Sequence, residues 1–324
     1  MRDLFTRKRL VVCVGTGGVG KTTISAALAL AAARANRRTV VLTIDPARAL
    51  GRALGVDLAT GAWIAPNLYA TMLDQKRAWD GFVARHAPSD AVARTLLANP
   101  FYQRLSTAFA GSTEYMAIEE MCQLVDSGAH DLVVLDTPPS AHAIDFLRAP
   151  ERIDRLLAEP RDLTGTLARF LGRQLERVAG AVTFRDIGTF VRALTTLVAG
   201  VRDRTRHARA YLSGGDAAFV LVTGPRTSIL DDTRELATAL AERAAPLAAV
   251  VINRTHPVLS SRPTLADPWL VARWDDAVHE AAAEAAVLDP FVASLPPGIT
   301  CVRVPEGRDI CSLAALEDVA RALG

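Results

Sequence analysis

The stretch Leu10-Val11-Val12-Cys13-Val14-Gly15-Thr16-Gly17-Gly18-Val19-Gly20-Lys21-Thr22-Thr23 decides the fold. Its first five residues form a continuous apolar run, the pattern of a strand buried on both faces of a parallel sheet. From Lys21 to Arg34 the chain is rich in Ala and Leu, which predicts a helix. Between strand and helix, Gly15 to Thr22 satisfies G-x-x-x-x-G-K-[ST], and in that context the pattern is a phosphate-binding loop. Glycines admit positive φ and let backbone approach a ligand closely. The loop N–H groups then converge on phosphate oxygens at the positive end of the helix. Lys21 supplies a point charge for the β- and γ-phosphates, and Thr22 a hydroxyl for Mg²⁺. The chain has only three lysines, Lys8, Lys21 and Lys76, and one of them stands here.

Gly15 to Gly20 also satisfies G-x-G-x-x-G, and Asp45 follows the next apolar run, where a ribose-binding acid would sit in a dinucleotide fold. Two features favour the phosphate loop over that reading. Lys21-Thr22 follow without a gap, which the dinucleotide fingerprint does not require. A third apolar run also ends in an acid, Asp136, placed for magnesium.

Working outward, Thr39–Ile44 is the second apolar run, closed by Asp45-Pro46, and Leu132–Leu135 the third, closed by Asp136-Thr137-Pro138-Pro139. Ala218–Val222, Leu247–Ile252 and Thr300–Val304 complete six predicted strands, with helical patterns between them. The fold class is therefore α/β, a doubly wound and mostly parallel sheet of the phosphate-loop type. About 85 residues separate the second and third strands and about 80 the third and fourth, against ~30 for a simple crossover unit. The surplus predicts helical insertions near 74–127 and 151–213, with a smaller one near 258–297, in a single domain spanning 1–324. In the second insertion Ile187, Phe190, Val191, Leu194, Leu197, Val198 and Val201 fall at helical spacing as one apolar stripe. Trp269 and Trp274, in the third, read as packing residues.

Composition narrows the function classes. Half of the 324 residues are hydrophobic and 22% are charged, which is globular rather than disordered. A net charge of +2 gives no field for bulk binding to nucleic acid. The four cysteines, Cys13, Cys122, Cys301 and Cys311, form no C-x-x-C, so no zinc knuckle or iron–sulfur site is suggested. No apolar run reaches the ~20 residues that span a bilayer. The opening segment lacks signal-peptide character and runs straight into the first predicted strand, so a cytoplasmic protein with reduced thiols is expected.

Ligands of open α/β sheets gather at the carboxyl ends of the strands, where Asp45 and Asp136 stand. Asp136 is placed to serve Mg²⁺ and Asp45 to orient an attacking water, because phosphoryl transfer needs positioning above all. Ser140 and His142 follow in a switch loop.

Taken in order, these motifs resemble the arsenite-pump and tail-anchored-protein-targeting ATPases, whose deviant phosphate loop reads G-K-G-G-V-G-K-T. Asp45-Pro46-Ala47 is similar to the family's first switch, D-P-A, and Asp136-Thr137-Pro138-Pro139-Ser140-Ala141-His142 to its second, D-T-x-P-x-x-H. Val250-Val251-Ile252-Asn253-Arg254 is similar to its strand ending in an adenine-reading Asn. Asn99-Pro100-Phe101-Tyr102-Gln103 and Gly111-Ser112-Thr113-Glu114-Tyr115-Met116-Ala117 resemble one subunit of the bacterial, mycobacterial-type two-subunit members. The resemblance covers roughly residues 10–323.

The resemblance implies ATP bound from Gly15 through Thr16, Gly17, Gly18, Val19, Gly20, Lys21 and Thr22 to Thr23, with adenine at Asn253. It implies Mg²⁺ on Thr22 and Asp136, catalysis by Asp45 and Lys21, and switching through Asp45, Pro46, Asp136, Pro139 and His142. It further implies a homodimer or a heterodimer with a related ATPase subunit, whose nucleotide state moves a helical subdomain and governs a client, a hydrophobic helix in the targeting members. One departure bears on turnover. The family's signature lysine in the loop, which reaches the partner's phosphates, is Thr16 here. Losing a cation of the arginine-finger kind removes about 10³-fold or more in rate. Slow hydrolysis alone is expected, or half of a heterodimer. The alternative is a nucleotide-gated scaffold or regulatory subunit with little turnover.

Overall fold

The computed structural model describes residues 1–44, 49–108, 113–138, 146, 148–149, 151, 190, 197–257, 259, 264, 267–307 and 312–324. The chain divides into two compact units. The first comprises Met1–Met72, Gly128–Ala143 and Ser213–Gly324, and the second Leu73–Ser127 and Ile144–Leu212.

The first unit is built on an eight-stranded sheet. In chain order its strands are β1 (Leu10–Gly15), β2 (Thr39–Thr43), β3 (Ala62–Ala65), β4 (Leu68–Met72), β5 (Leu132–Asp136), β6 (Ala217–Thr223), β7 (Leu247–Thr255) and β8 (Thr300–Pro305). Their spatial order is β3-β4-β2-β5-β1-β6-β7-β8, and every pairing is parallel except β3 with β4. From β1 the chain winds outward to β2 and β4, returns to β5 beside β1, then winds the other way through β6, β7 and β8. The winding reverses at β1, which is where ligands bind such sheets.

Every residue of β1, β2, β5 and β6 is buried, as their continuous apolar runs predict. The edge strands β3 and β8 mix apolar and exposed positions, since each has only one neighbour. Helix α2 (Lys21–Arg34) coincides with its predicted bounds. It is apolar nearly all round because it lies against the sheet and is also packed by α3 (Ala49–Leu54) and α11 (Leu313–Ala322).

The structure adds three elements to the six predicted strands and their helices. A six-residue helix, α1 (Arg2–Arg7), precedes β1 where the chain was expected to enter the strand directly. It is anchored by Leu4 and Phe5 in the core and by Arg37, which donates to the carbonyls of Phe5 and Lys8 at 2.7 Å each. Strands β3 and β4 form a hairpin closed by Pro66-Asn67, with Asn67 at φ +63°. Pro followed by a left-handed Asn is the order a type II turn favours.

The second unit is helical, with α4 (Gln75–His86), α5 (Asp90–Leu97), α6 (Pro100–Ala108), α7 (Thr113–Asp126) and α8 (Val198–Ser213) among the described residues. Its core is aromatic: the Phe82 and Tyr115 rings meet edge-on at 5.8 Å, and Phe101 and Phe190 at 5.1 Å. Phe190 and Leu197, from the predicted apolar stripe, are buried in this core. Ile187, Val191 and Leu194 lie outside the described residues. The Asn99-Pro100-Phe101 motif is a helix start. Asn99 Oδ1 accepts from the N–H groups of Phe101 at 2.9 Å and Tyr102 at 3.1 Å, Pro100 opens α6, and Phe101 fills the core.

In the first unit, α10 (Pro268–Ala293) is the helix expected near 258–297, and of its side chains only Leu288 and Phe291 are buried. Trp269 therefore does not pack as expected. It is 64% exposed, with the Arg273 guanidinium 5.8 Å from its ring. Helix α9 (Thr227–Ala241) links β6 to β7.

Candidate functional site

The loop after β1 owes its path to two glycines. A β-carbon at Gly15 would collide with the carbonyl of Val222 on β6, so only glycine lets the chain leave the sheet there. Gly20 caps the N-terminus of α2 at φ +90°, a left-handed conformation. Against it lies Asn253, from the end of β7, whose Nδ2 donates to the carbonyl of Val19 at 2.8 Å. The next residue, Arg254, donates from Nη1 to the carbonyl of Gly18 at 3.2 Å. Two successive loop carbonyls are thus held from the β7 side. Lys21, 7% exposed, donates from Nζ to the carbonyl of Thr16 at 2.7 Å, so the ammonium is folded under the loop. Thr16 is itself buried, and its hydroxyl has no hydrogen-bond partner among the described residues.

Asp136, at the end of β5, is 1% exposed. Three hydroxyls converge on its carboxylate. Thr22 donates to Oδ2 at 2.8 Å, Thr43 to Oδ2 at 3.0 Å and Ser25 to Oδ1 at 3.3 Å. Burial pushes this carboxyl up to about 6, against the pull of those hydroxyls and of Lys21. Beside it Thr137 donates to the carbonyl of Cys13 at 2.7 Å, tying the strand end to β1. The donor set suits Mg²⁺, a hard cation that keeps several waters and takes one or two protein oxygens near phosphates. A hydroxyl and a carboxylate already in contact at the mouth of a phosphate loop are such a pair. A bound cation would also reverse the penalty that burial imposes on the charged Asp136.

The loop opens into a cavity of about 1420 Å³. It is lined by Lys21, Thr22 and Thr137, by Asn253 and Arg254, and by the β8-to-α11 segment at Glu306. That exceeds the ~300–1,000 Å³ typical of small-molecule pockets, so an extended ligand with a phosphate tail is accommodated.

Of the residues singled out from the sequence, Gly15 to Thr23, Asp136 and Asn253 are brought together here. Asp45, Pro46, Pro139 and His142 lie outside the described residues, as do Ala47 and Ser140. Thr43, Ser25 and Arg254 were not assigned roles from the sequence. The first two are ordinary hydroxyl residues in a strand and a helix, and only the pairing of β2 with β5 brings Thr43 to Asp136. The three described cysteines are free; burial raises Cys13 and Cys122 to about 12, which makes them inert packing residues.

Comparison with known proteins agrees with this geometry. The sequence model of the ArsA-type family, described as anion-transporting ATPase, matches residues 8–273. An uncharacterized protein of Streptomyces coelicolor is 31% identical over 264 residues, covering 81% of this chain and 65% of that relative, less than two thirds of its length. ATPase GET3 of Chaetomium globosum is 26% identical over 250 residues, 76% of this chain and 72% of that protein. The Aspergillus terreus ATPase get3 is 26% identical over 251 residues, 76% and 73% of the two chains. With its phosphate loop, its strand-end acid and a family match over most of its length, the chain belongs to the ArsA-type, anion-transporting ATPase family.

Proposed function

We propose that this chain is an Mg-ATP-hydrolysing switch that works as a dimer and couples nucleotide state to a helical unit and to a client or partner protein. The observation that carries the reading is the phosphate loop whose Thr22 hydroxyl meets Asp136 at 2.8 Å beside Lys21, opening on one large cavity. Loop N–H groups from Gly17 to Thr23 would bind the phosphates, and Thr22 with Asp136 would hold Mg²⁺. The metal supplies charge neutralisation on the transferring phosphoryl group. Lys21 exchanges its bond to the Thr16 carbonyl for phosphate oxygens. Asp45 positions the attacking water, and loss of the γ-phosphate relaxes the loops carrying Asp45, Pro46, Pro139 and His142. Phe190 and Leu197 are consumed by the helical unit's own core, so the output is assigned to a partner protein rather than to a groove along that stripe.

Titration calorimetry with Mg-ATP, Mg-ADP and NADH separates this reading from the dinucleotide one; tight NADH binding with ATP and ADP ignored would overturn it. Single-turnover ATP cleavage that disappears in Asp45→Asn supports hydrolysis by the chain itself.

A second reading has a specific observation behind it. Thr16 is buried and carries no charge where the resemblance places a lysine, so this chain offers its partner no cation from that position. A heterodimer that receives a lysine, or a scaffold with little turnover, follows. The variant Thr16→Lys should raise steady-state ATP turnover of the homodimer at least about tenfold, given the rate such cations supply. Unchanged turnover would favour the scaffold.

A further inference from the structure

Helix α3 is fixed by its inner face and turns one cation outward. Leu50 and Leu54 are buried in the core, and a β-carbon at Gly51 would collide with the carbonyl of Val56. The opposite face, Ala49, Arg52 and Ala53, lines the large cavity together with Lys21 and Thr22. Arg52 is exposed there. It also lines a second cavity of about 400 Å³ with Thr43, and among the described residues it is the one that both cavities share. Thr22, from the first cavity, and Thr43, from the second, donate to the same oxygen of Asp136, so the shared residue flanks the Asp136 end of the site. The other cations of the large cavity are committed: Lys21 to the Thr16 carbonyl, Arg254 to that of Gly18 and Arg321 to Asp318. Arg52 makes no hydrogen bond or ion pair among the described residues.

We infer that Arg52 contacts the γ-phosphate of the nucleotide bound in its own chain and supplies part of the charge that Thr16 does not. The inference rests on the nucleotide reading of this site. A magnesium ion held by Thr22 and Asp136 bridges the β- and γ-phosphates, which puts the γ-phosphate at the end of the cavity that Arg52 flanks. When water attacks the γ-phosphorus, the bond to the bridging oxygen of ADP breaks, and ADP, inorganic phosphate and one proton are released. In between, negative charge spreads over the γ-phosphoryl oxygens. A guanidinium presents a rigid fork of donors that matches a phosphate, and an uncommitted one gives up no partner to bind it. Thr16, buried and uncharged, offers nothing comparable.

The test measures binding of Mg-ADP and of the non-hydrolysable triphosphate Mg-AMP-PNP by calorimetry on the full chain, for wild type, Arg52→Ala and Arg52→Lys. Arg52→Ala should fold as wild type does, because the position is exposed and Ala is a strong helix former. It should weaken AMP-PNP about tenfold or more, the size of a charge-assisted hydrogen bond, and leave ADP affinity unchanged. Arg52→Lys should recover only part of the loss, because an ammonium keeps the charge and loses the fork. Single-turnover ATP cleavage should fall about 10³-fold in Arg52→Ala, the low end for a cation of the arginine-finger kind. Free guanidinium at a non-denaturing concentration should restore part of that cleavage. Equal weakening of AMP-PNP and ADP would place Arg52 away from the γ-phosphate and overturn the inference. So would a wild-type preference for AMP-PNP over ADP in Arg52→Ala. A wild-type chain that bound neither nucleotide would instead overturn the nucleotide reading itself, and this inference with it.

Discussion

The side-chain nitrogen of Asn253 occupies the space that a β-carbon on Gly20 would need, and from there it donates to the carbonyl of Val19 at 2.8 Å. A strand end more than two hundred residues away in the chain thus sets the shape of the phosphate loop. Gly20 is required twice, by its φ of +90° and by this contact. Gly20→Ala should therefore cost about 1–3 kcal/mol in stability from backbone strain alone. It should also abolish measurable Mg-ATP binding, because Asn253 must withdraw and release the loop. Chemical denaturation and calorimetry check both, and a variant of wild-type stability and affinity would contradict the geometry.

Asp136→Asn isolates the metal role. The three hydroxyls around the carboxylate can turn to accept from an amide as well as donate to its oxygen, so the fold should survive. The gain in ATP affinity that Mg²⁺ brings should fall about 10- to 100-fold, the usual price of disturbing a metal's supporting groups. Titrations with Mg²⁺ and with a chelator measure it, and a full magnesium effect in the variant would remove Asp136 from the site.

In the helical unit Glu119 on α7 is fully buried between two arginines. Its Oε1 accepts from Arg85 on α4 at 2.8 Å and its Oε2 from Arg204 on α8 at 2.8 Å, while Arg204 also pairs with Asp126. Removing one member leaves a buried charge uncompensated, so Glu119→Ala should lose about 3–5 kcal/mol in urea denaturation. Mg-ATP affinity should not change with it. A loss under about 1 kcal/mol, the scale of an exposed pair, would show that water already screens the cluster.

His86 lies in the same unit, its ring 4.6 Å from that of Phe82 and its Nε2 buried without a hydrogen-bond partner among the described residues. Burial holds its pKa below the ordinary histidine value; the Arg204 and Arg85 guanidinium groups push the same way, and the Glu119 and Asp203 carboxylates oppose them. The folded state therefore favours the neutral ring. This contribution to stability is present above the unfolded pKa of about 6.5 and is lost as pH falls through the lower folded value. The denaturation midpoint should drop below about pH 6.5, and His86→Gln should flatten part of that drop. A profile identical in the variant would assign the acid sensitivity elsewhere.

Much of the fold was legible because its signals are local. Continuous apolar runs mark strands that neighbours cover on both faces, so β1, β2, β5, β6, β7 and β8 stand within a few residues of where periodicity puts them. The hairpin of β3 and β4 was missed, although Pro66-Asn67 marks its turn, because short strands near an edge lack that dense apolar run. The α1 helix was missed because six residues carry too little periodicity, and it is held by Arg37 from a distant turn.

By itself the sequence determined the α/β class, the glycine-rich loop between β1 and α2 with Lys21 and Thr22, and the acid at the end of β5, since each depends on a few adjacent residues and their dihedral limits. Only the tertiary structure decided the rest. It set Thr43 and Ser25 on Asp136, Asn253 against Gly20, Arg254 over Gly18, and the Thr16 hydroxyl in a buried, unpartnered position. Those relations join residues far apart in the chain. The order in which strands lie side by side creates them, and no spacing along one strand encodes it.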